Sequence, residues 1–153
     1  MMWLLTAMMA VAAPPIREAG SIGIGGGIGT RVSGFDAKYW LSNEFAVQGI
    51  VGVGYYGSNS VDVGLDVDFL YEFDEFVDTG DFQIAWHAGF GGLVNGSRLG
   101  GNGVIGIEFI FDGVPLDVVL DGRPSLGLFV GEDLTGKLWF DPINTGAHVR
   151  YYF

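Results

Sequence analysis

The sequence has no cysteine and few basic residues. With no cysteine, the chain can form no disulfide, no thiolate metal site and no lipid-modified cysteine anchor. Its 7 lysines and arginines face 18 aspartates and glutamates, which gives a formal net charge of −11. A charge of this sign and size repels phosphate backbones, so nucleic acid is excluded as an expected partner.

Long apolar runs are also scarce. The run from Met1 to Ala13 is apolar except at Thr6, and Pro14-Pro15 ends it well short of the roughly 20 residues that a membrane-spanning helix needs. Ala10-Val11-Ala12 supplies the small residues that signal peptidases accept. We therefore predict a secretory signal peptide over residues 1–13. A short buried segment is the alternative, because no lysine or arginine precedes Trp3.

Glycine and aromatic residues are abundant. The 153 residues include 27 glycines and 14% aromatics, a composition that fits curved strands better than helices and suits one domain. The mean hydropathy of +0.37 is high for so acidic a chain. Strands that segregate apolar and charged side chains onto opposite faces resolve this conflict. We predict a linker over residues 14–19 and a barrel domain over residues 20–153.

The clearest alternation of side chains lies between Val61 and Phe73. Valine, leucine, phenylalanine and tyrosine occupy one parity, and the other parity carries mostly aspartate, glutamate and glycine. A period of two over this length predicts a strand, since a helix would scatter the acids around its axis. In a soluble sandwich such a strand would turn its acids to water. Neighbouring segments alternate in the same way, and this favours a membrane barrel.

Segments of this pattern predict eight strands, the even number typical of bacterial outer-membrane barrels. The predicted strands are 21–30, 34–42, 45–57, 61–73, 81–93, 103–112, 115–123 and 142–153. With both termini at one end, the predicted loops at the other end are short: 31–34, 57–60, 94–102 and 130–141. Two interpretations stay open for residues 126–141, which either extend the seventh strand past Pro124 or form a surface loop. The fold class expected is therefore an all-β, eight-stranded antiparallel transmembrane β-barrel.

The parity of each strand separates two sets of residues. The predicted polar network of the lumen comprises Asp36, Lys38, Asp62, Asp66, Asp68, Glu72, His87, Glu108, Asp117, Asp121, Arg123, His148 and Arg150. The predicted lipid-facing set comprises Val63, Leu65, Val67, Phe69, Ile84, Trp86, Ile107, Phe109, Val118 and Val149. Aromatic residues near strand ends are candidates for interfacial girdles: Tyr39, Trp40, Tyr55, Tyr56, Tyr71, Trp139, Tyr151 and Phe153. Trp40 has inward parity.

Three sequence motifs, in this order along the chain, resemble those of a known protein family. The segment Gly34 to Ser42, the segment Phe111 to Asp117 and the ending Arg150-Tyr151-Tyr152-Phe153 resemble small, largely uncharacterised outer-membrane β-barrel proteins of diderm bacteria, including spirochaete surface proteins. Their fold is similar to the OmpA-type eight-stranded barrel. The resemblance implies a bacterial outer-membrane location, contact with outer-membrane lipids, and a monomeric or weakly associating barrel. It also implies recognition by the outer-membrane insertion machinery through Tyr151 and Phe153.

Catalytic and metal motifs are weak. The two histidines, His87 and His148, lie 61 residues apart among scattered aspartates, so they form no metal-ligand spacing, and both have inward parity. No catalytic residue, metal or cofactor is predicted. We expect a non-enzymatic barrel with a structural or surface-interaction role, which includes binding a protein ligand at the surface. The alternatives are a narrow cation-selective pore lined by Asp62, Asp66 and Asp68, and a soluble lipocalin-like carrier of an apolar ligand.

Overall fold

A computed structural model of the chain describes residues 16–56, 60–130 and 136–153. They form an all-β, closed antiparallel barrel, which confirms that part of the prediction. Eleven strand segments build it: β1 Ile22–Gly29, β2 Ser33–Trp40, β3 Phe45–Tyr56, β4 Ser60–Glu72, β5 Val77–Asp78, β6 Phe82–Asn95, β7 Arg98–Phe111, β8 Leu116–Gly122, β9 Ser125–Phe129, β10 Leu138–Asp141 and β11 Thr145–Tyr152. The predicted signal peptide, residues 1–13, lies outside the described residues, as do the first two residues of the linker.

The eleven segments make eight barrel strands. β8 and β9 both pair with β7 and are two halves of one strand, interrupted at Arg123-Pro124, where proline has no N–H to donate to the ladder. β10 and β11 pair with β9 and β8 in the same way and form the eighth strand, interrupted between Pro142 and Asn144. β5 is a short addition beside the start of β6.

Closure occurs between the first and last strands. β1 pairs with β11 from Gly23 opposite Tyr152 to Gly29 opposite Gly146, and with β2 on its other side. The end of the barrel where β1 begins and β11 finishes is called the terminal end here. The opposite end, which holds the turns after β1 and β6, is called the hairpin end. The prediction of eight antiparallel strands is confirmed.

One predicted loop is wrong. Residues 94–102 are strand rather than loop, apart from the turn Gly96-Ser97 that joins β6 to β7. Asn95 pairs with Arg98 across this turn, and Gly96 adopts a positive φ of 43°, a region in which glycine is favoured. Part of the predicted loop 130–141 is also strand, because β10 pairs with β9. The barrel wall is therefore taller on the β6, β7, β9 and β10 side than the sequence predicted.

The two faces of each strand have opposite chemistry. Along β4, the side chain of Val63 is 71% exposed on the outside whereas that of Asp66 is 3% exposed on the inside. β1 is the exception on the inner face, because its inward positions after Ser21 are all glycine. Gly23, Gly25 and Gly27 lie opposite Tyr152, Arg150 and His148. The side chains of Tyr152 and His148 fill the space above Gly23 and Gly27, whereas Gly25 packs against the backbone of β11.

An apolar layer closes the lumen at the terminal end. Its members are buried side chains from the chain segment before β1 and from five barrel strands: Ile16, Trp40, Ala46, Leu70, Val104, Ile110 and Tyr152. Arg17 next to Ile16 donates a hydrogen bond to the carbonyl oxygen of Phe73 at 2.7 Å, and its guanidinium lies 5.6 Å from the Trp40 ring centroid. The segment before β1 therefore folds back into the barrel end.

Candidate functional site in the barrel lumen

The lumen holds an unusual concentration of buried acid. Seven carboxyl groups are 6% exposed or less: Asp36, Asp66, Asp68, Glu72, Glu108, Asp117 and Asp121. The buried bases close to these carboxyl groups are Lys38, Arg123 and Arg150, and the two buried histidines are His87 and His148. Each side chain enters the lumen because it occupies the inward parity of its strand. Burying so many charges is costly unless they pair and hydrogen-bond with one another.

Lys38 organises the ionic cluster nearest the terminal end. Its ammonium nitrogen Nζ lies 2.6 Å from Oε1 of Glu72 and 2.9 Å from Oε1 of Glu108. The same ammonium lies 4.4 Å from the centroid of the Trp40 ring, within the range of a cation–π contact. All three charged side chains are completely buried, so solvent screens these contacts very little.

Arg150 lies at the centre of the next level, meaning the next group of polar contacts along the barrel axis, further from the terminal end. Its Nε and Nη2 atoms lie 3.0 Å from the two oxygens of Asp117, a bidentate pair, and Nη1 donates to Oε1 of Gln48 at 2.5 Å. Tyr152 donates its hydroxyl hydrogen to Oδ2 of Asp117 at 2.6 Å. Nη2 also lies 3.7 Å from Oε1 of Glu108, which links this level to the Lys38 cluster. Bidentate guanidinium–carboxylate pairs are among the stronger polar contacts in proteins.

His148 and Arg123 organise the level nearer the hairpin end. His148 lies between two carboxylates, with Nδ1 2.8 Å from Asp36 and Nε2 3.2 Å from Asp121. Arg123 binds both oxygens of Asp121 at 3.0 Å. Its Nη1 lies 2.6 Å from Asp68 and 3.2 Å from Asp66. One guanidinium thus bridges three carboxylates from two opposite parts of the wall.

The levels join into one continuous network. Consecutive charged groups from Glu72 to Asp68 are at most 3.9 Å apart. With Gln48 on β3 and with His87 on β6, which lies 3.8 Å from Glu72, the network takes side chains from every barrel strand except β1. A cavity beside Asp66, Arg123 and His148 has a volume of only about 10 Å³. This is the volume that one water molecule needs, so the cavity is far too small for a hydrated ion.

Most of the predicted lumen residues lie in this network. The exception is Asp62, which is half-buried at the hairpin end, where a Cβ atom on Gly96 would lie 2.6 Å from its Cγ atom. The sequence missed the roles of Gln48 and Tyr152, although both have inward parity. It also missed Asn102, which donates to Oδ1 of Asp68 at 2.7 Å and fell inside the loop wrongly predicted over 94–102.

The hairpin end has its own polar contact. Arg31 in the turn after β1 is buried, lies 4.2 Å from the ring centroid of Trp139, and its Nη2 donates to Asp141 at 2.7 Å. Trp139 was a candidate for an interfacial girdle, and this prediction is wrong because the side chain is buried inside the wall. Trp40 is also buried, as its parity indicated. The side chains of Tyr55 and Tyr56 lie outside the described residues.

The outer face of the described barrel strands carries no charged side chain. On the described barrel strands β1–β4 and β6–β11, no aspartate, glutamate, lysine or arginine has outward parity, and the outward residues are apolar or glycine except Ser33 and Thr145. Seven residues of the predicted lipid-facing set are exposed: Val63, Leu65, Val67, Phe69, Trp86, Ile107 and Val149. Ile84, Phe109 and Val118 have the same outward parity and are half-buried between their neighbours.

Aromatic side chains cluster on the outer face at the terminal end. Phe45 packs against Phe69 and Tyr71 with ring centroids 5.5 and 5.2 Å apart. Phe73 stacks on Trp86 at 3.7 Å. The predicted insertion-signal residues Tyr151 and Phe153 are exposed, with their ring centroids 5.2 Å apart.

Comparisons with known proteins supply no relative. The chain matches no protein-family model, no curated protein and no solved structure. Among the described residues there is no helix that is long and apolar enough to cross a membrane.

Proposed function

We propose that this chain is a transmembrane β-barrel of the bacterial outer membrane, with a non-enzymatic role as a structural or surface-interaction protein. One observation carries the proposal. The outward positions of the described barrel strands carry no charged residue, while seven carboxyl groups are buried inside. This distribution is the reverse of that in a soluble barrel, which turns its apolar side chains inward and its charges to water.

The free-energy cost of exposing apolar surface to water supports a lipid environment. Monomeric soluble proteins rarely expose contiguous apolar patches larger than a few hundred Å². Here large apolar side chains are exposed on all eight strands, including Ile28, Phe35, Val63, Phe90, Leu120 and Val149. In water such a band would drive aggregation, whereas in a bilayer it contacts acyl chains at no cost. The barrel closes on itself and leaves its backbone paired, which is the condition for strands to exist in lipid.

The dimensions of the outer band fit a bilayer. At roughly 3.3 Å per residue and a tilt of about 40°, the outward row of β4 from Val61 to Tyr71 rises about 25 Å, the height of the apolar band in outer-membrane barrels. The aromatic cluster around Phe45, Tyr71 and Trp86 lies at one edge of this row. Beyond that edge the turns carry exposed acids: Glu18, Glu44, Asp74, Glu75, Asp78, Asp81 and Asp112.

The packed lumen favours a sealed barrel over a pore. A cation path along Asp66 and Asp68 would need those carboxylates free, but both bind Arg123. At the terminal end the path would also have to pass Ile16, Trp40 and Leu70, which pack together. A soluble carrier would need an apolar cavity for its ligand, and the interior described above is filled by ionic side chains. We infer that the barrel is a closed anchor in contact with outer-membrane lipids.

The short connections limit what the barrel presents to its surroundings. The turn after β1 spans residues 30–32 and the turn after β6 is Gly96-Ser97. A protein ligand would therefore contact a small surface, in which the taller wall of β6, β7, β9 and β10 projects furthest. The resemblance to small outer-membrane barrels of diderm bacteria agrees with this reading and adds insertion by the outer-membrane machinery as a monomer.

Membrane extraction and gel migration test the proposal. The full chain, expressed with export to the outer membrane, should stay in the membrane pellet under carbonate wash and migrate differently in gels before and after boiling. Recovery of folded protein in the soluble fraction would refute the membrane location. In planar bilayers the inserted barrel should give no steady current. A cation current that falls on Asp66→Asn would replace the sealed anchor with the pore.

A further inference from the structure

The lumen brings three metal-binding donors together. Glu72 on β4, His87 on β6 and Glu108 on β7 are fully buried, and each offers one ligand atom within 4.8 Å of the other two. Glu72 lies directly opposite His87 in the pairing of β4 with β6, and Glu108 enters from the next strand, opposite Ala85. The sequence predicted no metal site because these residues are far apart along the chain and form no spacing motif.

His87 is the residue that points to a ligand. Within the part of the chain that the structure describes, neither of its ring nitrogens has a hydrogen-bond partner. The ring nitrogens of His148, the other buried histidine, also form no hydrogen bond of good geometry, but each lies close to a carboxylate oxygen, at 2.8 Å from Nδ1 and 3.2 Å from Nε2. Nδ1 of His87 instead lies 3.8 Å from Oε2 of Glu72, so the imidazole faces this carboxylate from beyond hydrogen-bond distance.

Gly106 fixes the orientation of this imidazole. It lies opposite His87 in the β6–β7 pair, and a Cβ atom there would lie 2.6 Å from Nε2 of the ring. The Nε2 edge is thus packed against backbone, which leaves Nδ1 as the nitrogen directed toward Glu72.

We propose that Glu72, His87 and Glu108 form a binding site for one divalent transition-metal ion of the Zn²⁺ type. One imidazole and two carboxylates are a donor set that zinc accepts in proteins, at ligand distances of roughly 2.0–2.2 Å. Donors of a tetrahedral site at those distances lie about 3.4 Å apart. The 3.8 Å separation between Nδ1 of His87 and Oε2 of Glu72 therefore has to shorten by a few tenths of an ångström. The widest separation in the cluster is at most 4.8 Å and has to shorten by at most about 1.4 Å.

The ammonium of Lys38 marks the position of the ion and competes with it for the two carboxylates. Its ammonium lies 2.6 Å from Glu72 and 2.9 Å from Glu108, so a cation already sits between the two carboxylates. The ammonium and a metal ion cannot occupy this space together. Because the seven buried carboxyls outnumber the bases beside them, replacing the ammonium between the two carboxylates with a dication increases the charge compensation there. The site is therefore selective for an ion that binds tightly enough to displace Lys38.

Metal content after refolding tests the site directly. The full chain is unfolded in chelator and refolded in detergent with or without Zn²⁺, which avoids the need for the ion to enter a closed barrel. After desalting, the wild-type protein should retain about one zinc per chain, His148→Asn should retain the same amount, and His87→Asn should retain less than a tenth of it. A wild-type barrel without zinc, or equal zinc in His87→Asn, would overturn the proposal.

Lys38→Met tests the position of the ion. Removing the competing ammonium should lower the dissociation constant for Zn²⁺ at least tenfold, and adding Glu108→Gln should reverse this gain. If Lys38→Met gives the heat-sensitive gel shift of a folded barrel only with Zn²⁺ present, the site is supported as well. A folded Lys38→Met protein that binds zinc no better than wild type would contradict the site. If it folds under neither condition, the comparison of wild type with His87→Asn decides.

Discussion

Gly23 lies directly beneath the ring of Tyr152: a Cβ atom on this glycine would lie 2.6 Å from Cζ of the tyrosine. The two residues face each other in the β1–β11 pair that closes the barrel. The tyrosine ring covers the bare β1 backbone, and its hydroxyl group donates a hydrogen bond to Asp117 on β8, the neighbour of β11 on the other side. Glycine at the inward positions of β1 therefore makes room for the large side chains of β11 at the seam of the barrel.

Filling this space should weaken the closure of the barrel. Gly23→Val places a branched side chain against the Tyr152 ring, and overpacking of this kind costs about 1–3 kcal/mol. We expect the free energy of unfolding in detergent or vesicles, measured by urea titration, to fall by that amount. Gly26→Val is the matched control, because a Cβ at this outward position would meet only the oxygen of Gly34 at 3.5 Å. Equal losses in both variants would contradict the packing argument.

A charge on the outer face should be costly in lipid. Val67 is 43% exposed and lies near the middle of the apolar band on β4. Val67→Lys should lower the free energy of unfolding in vesicles by about 2–4 kcal/mol, as lysine does near the midplane of outer-membrane barrels. Val114, 49% exposed in the turn after β7, supplies the control, and Val114→Lys should cost about 0–1 kcal/mol. If both substitutions cost the same small amount, the outer face is in water.

The bidentate pair of Arg150 and Asp117 should be strongly coupled. Arg150→Met leaves Asp117 buried without its cation, and breaking such a pair costs about 3–5 kcal/mol. The double variant Arg150→Met with Asp117→Asn removes both charges and should lose at least about 1 kcal/mol less than the sum of the single losses. Lys137 is exposed at the hairpin end, and Lys137→Met should change stability by less than about 0.5 kcal/mol. Additive losses would mean that the pair is not a unit.

The sequence predicted the fold well where apolar and polar side chains alternate regularly along a strand. β4 alternates at nearly every position, and its predicted bounds of 61–73 agree with Ser60–Glu72. Residues 94–102 were mistaken for a loop because Gly100, Gly101 and Asn102 are poor strand formers in isolation. In the barrel these residues pair with β6 on one side and β9 on the other, and this tertiary pairing outweighs local preference.

The parity of the strands predicts which residues face the lumen, but it does not predict which of these residues contact one another. Alternation places Lys38, Glu72, His87 and Glu108 on inner faces, yet gives no information on which strands are neighbours across the lumen. Contact between Lys38 and Glu108 depends on the closure and stagger of the barrel, which bring residues 70 positions apart within hydrogen-bond distance. The sequence also gives no sign that Gly23 and Gly27 of β1 make room for Tyr152 and His148.

A spin-label scan along β4 in lipid vesicles tests the central claim most directly. The chain has no cysteine, so single cysteines can be introduced at each position from Val61 to Tyr71 without a competing thiol. If lipid covers the outer face, labels at the odd positions should show high accessibility to oxygen and low accessibility to a water-soluble nickel complex. Labels at Asp66 and Asp68 should be shielded from both. High nickel accessibility at Val63, Val67 and Phe69 would contradict the account, because it would mean that water covers the apolar face.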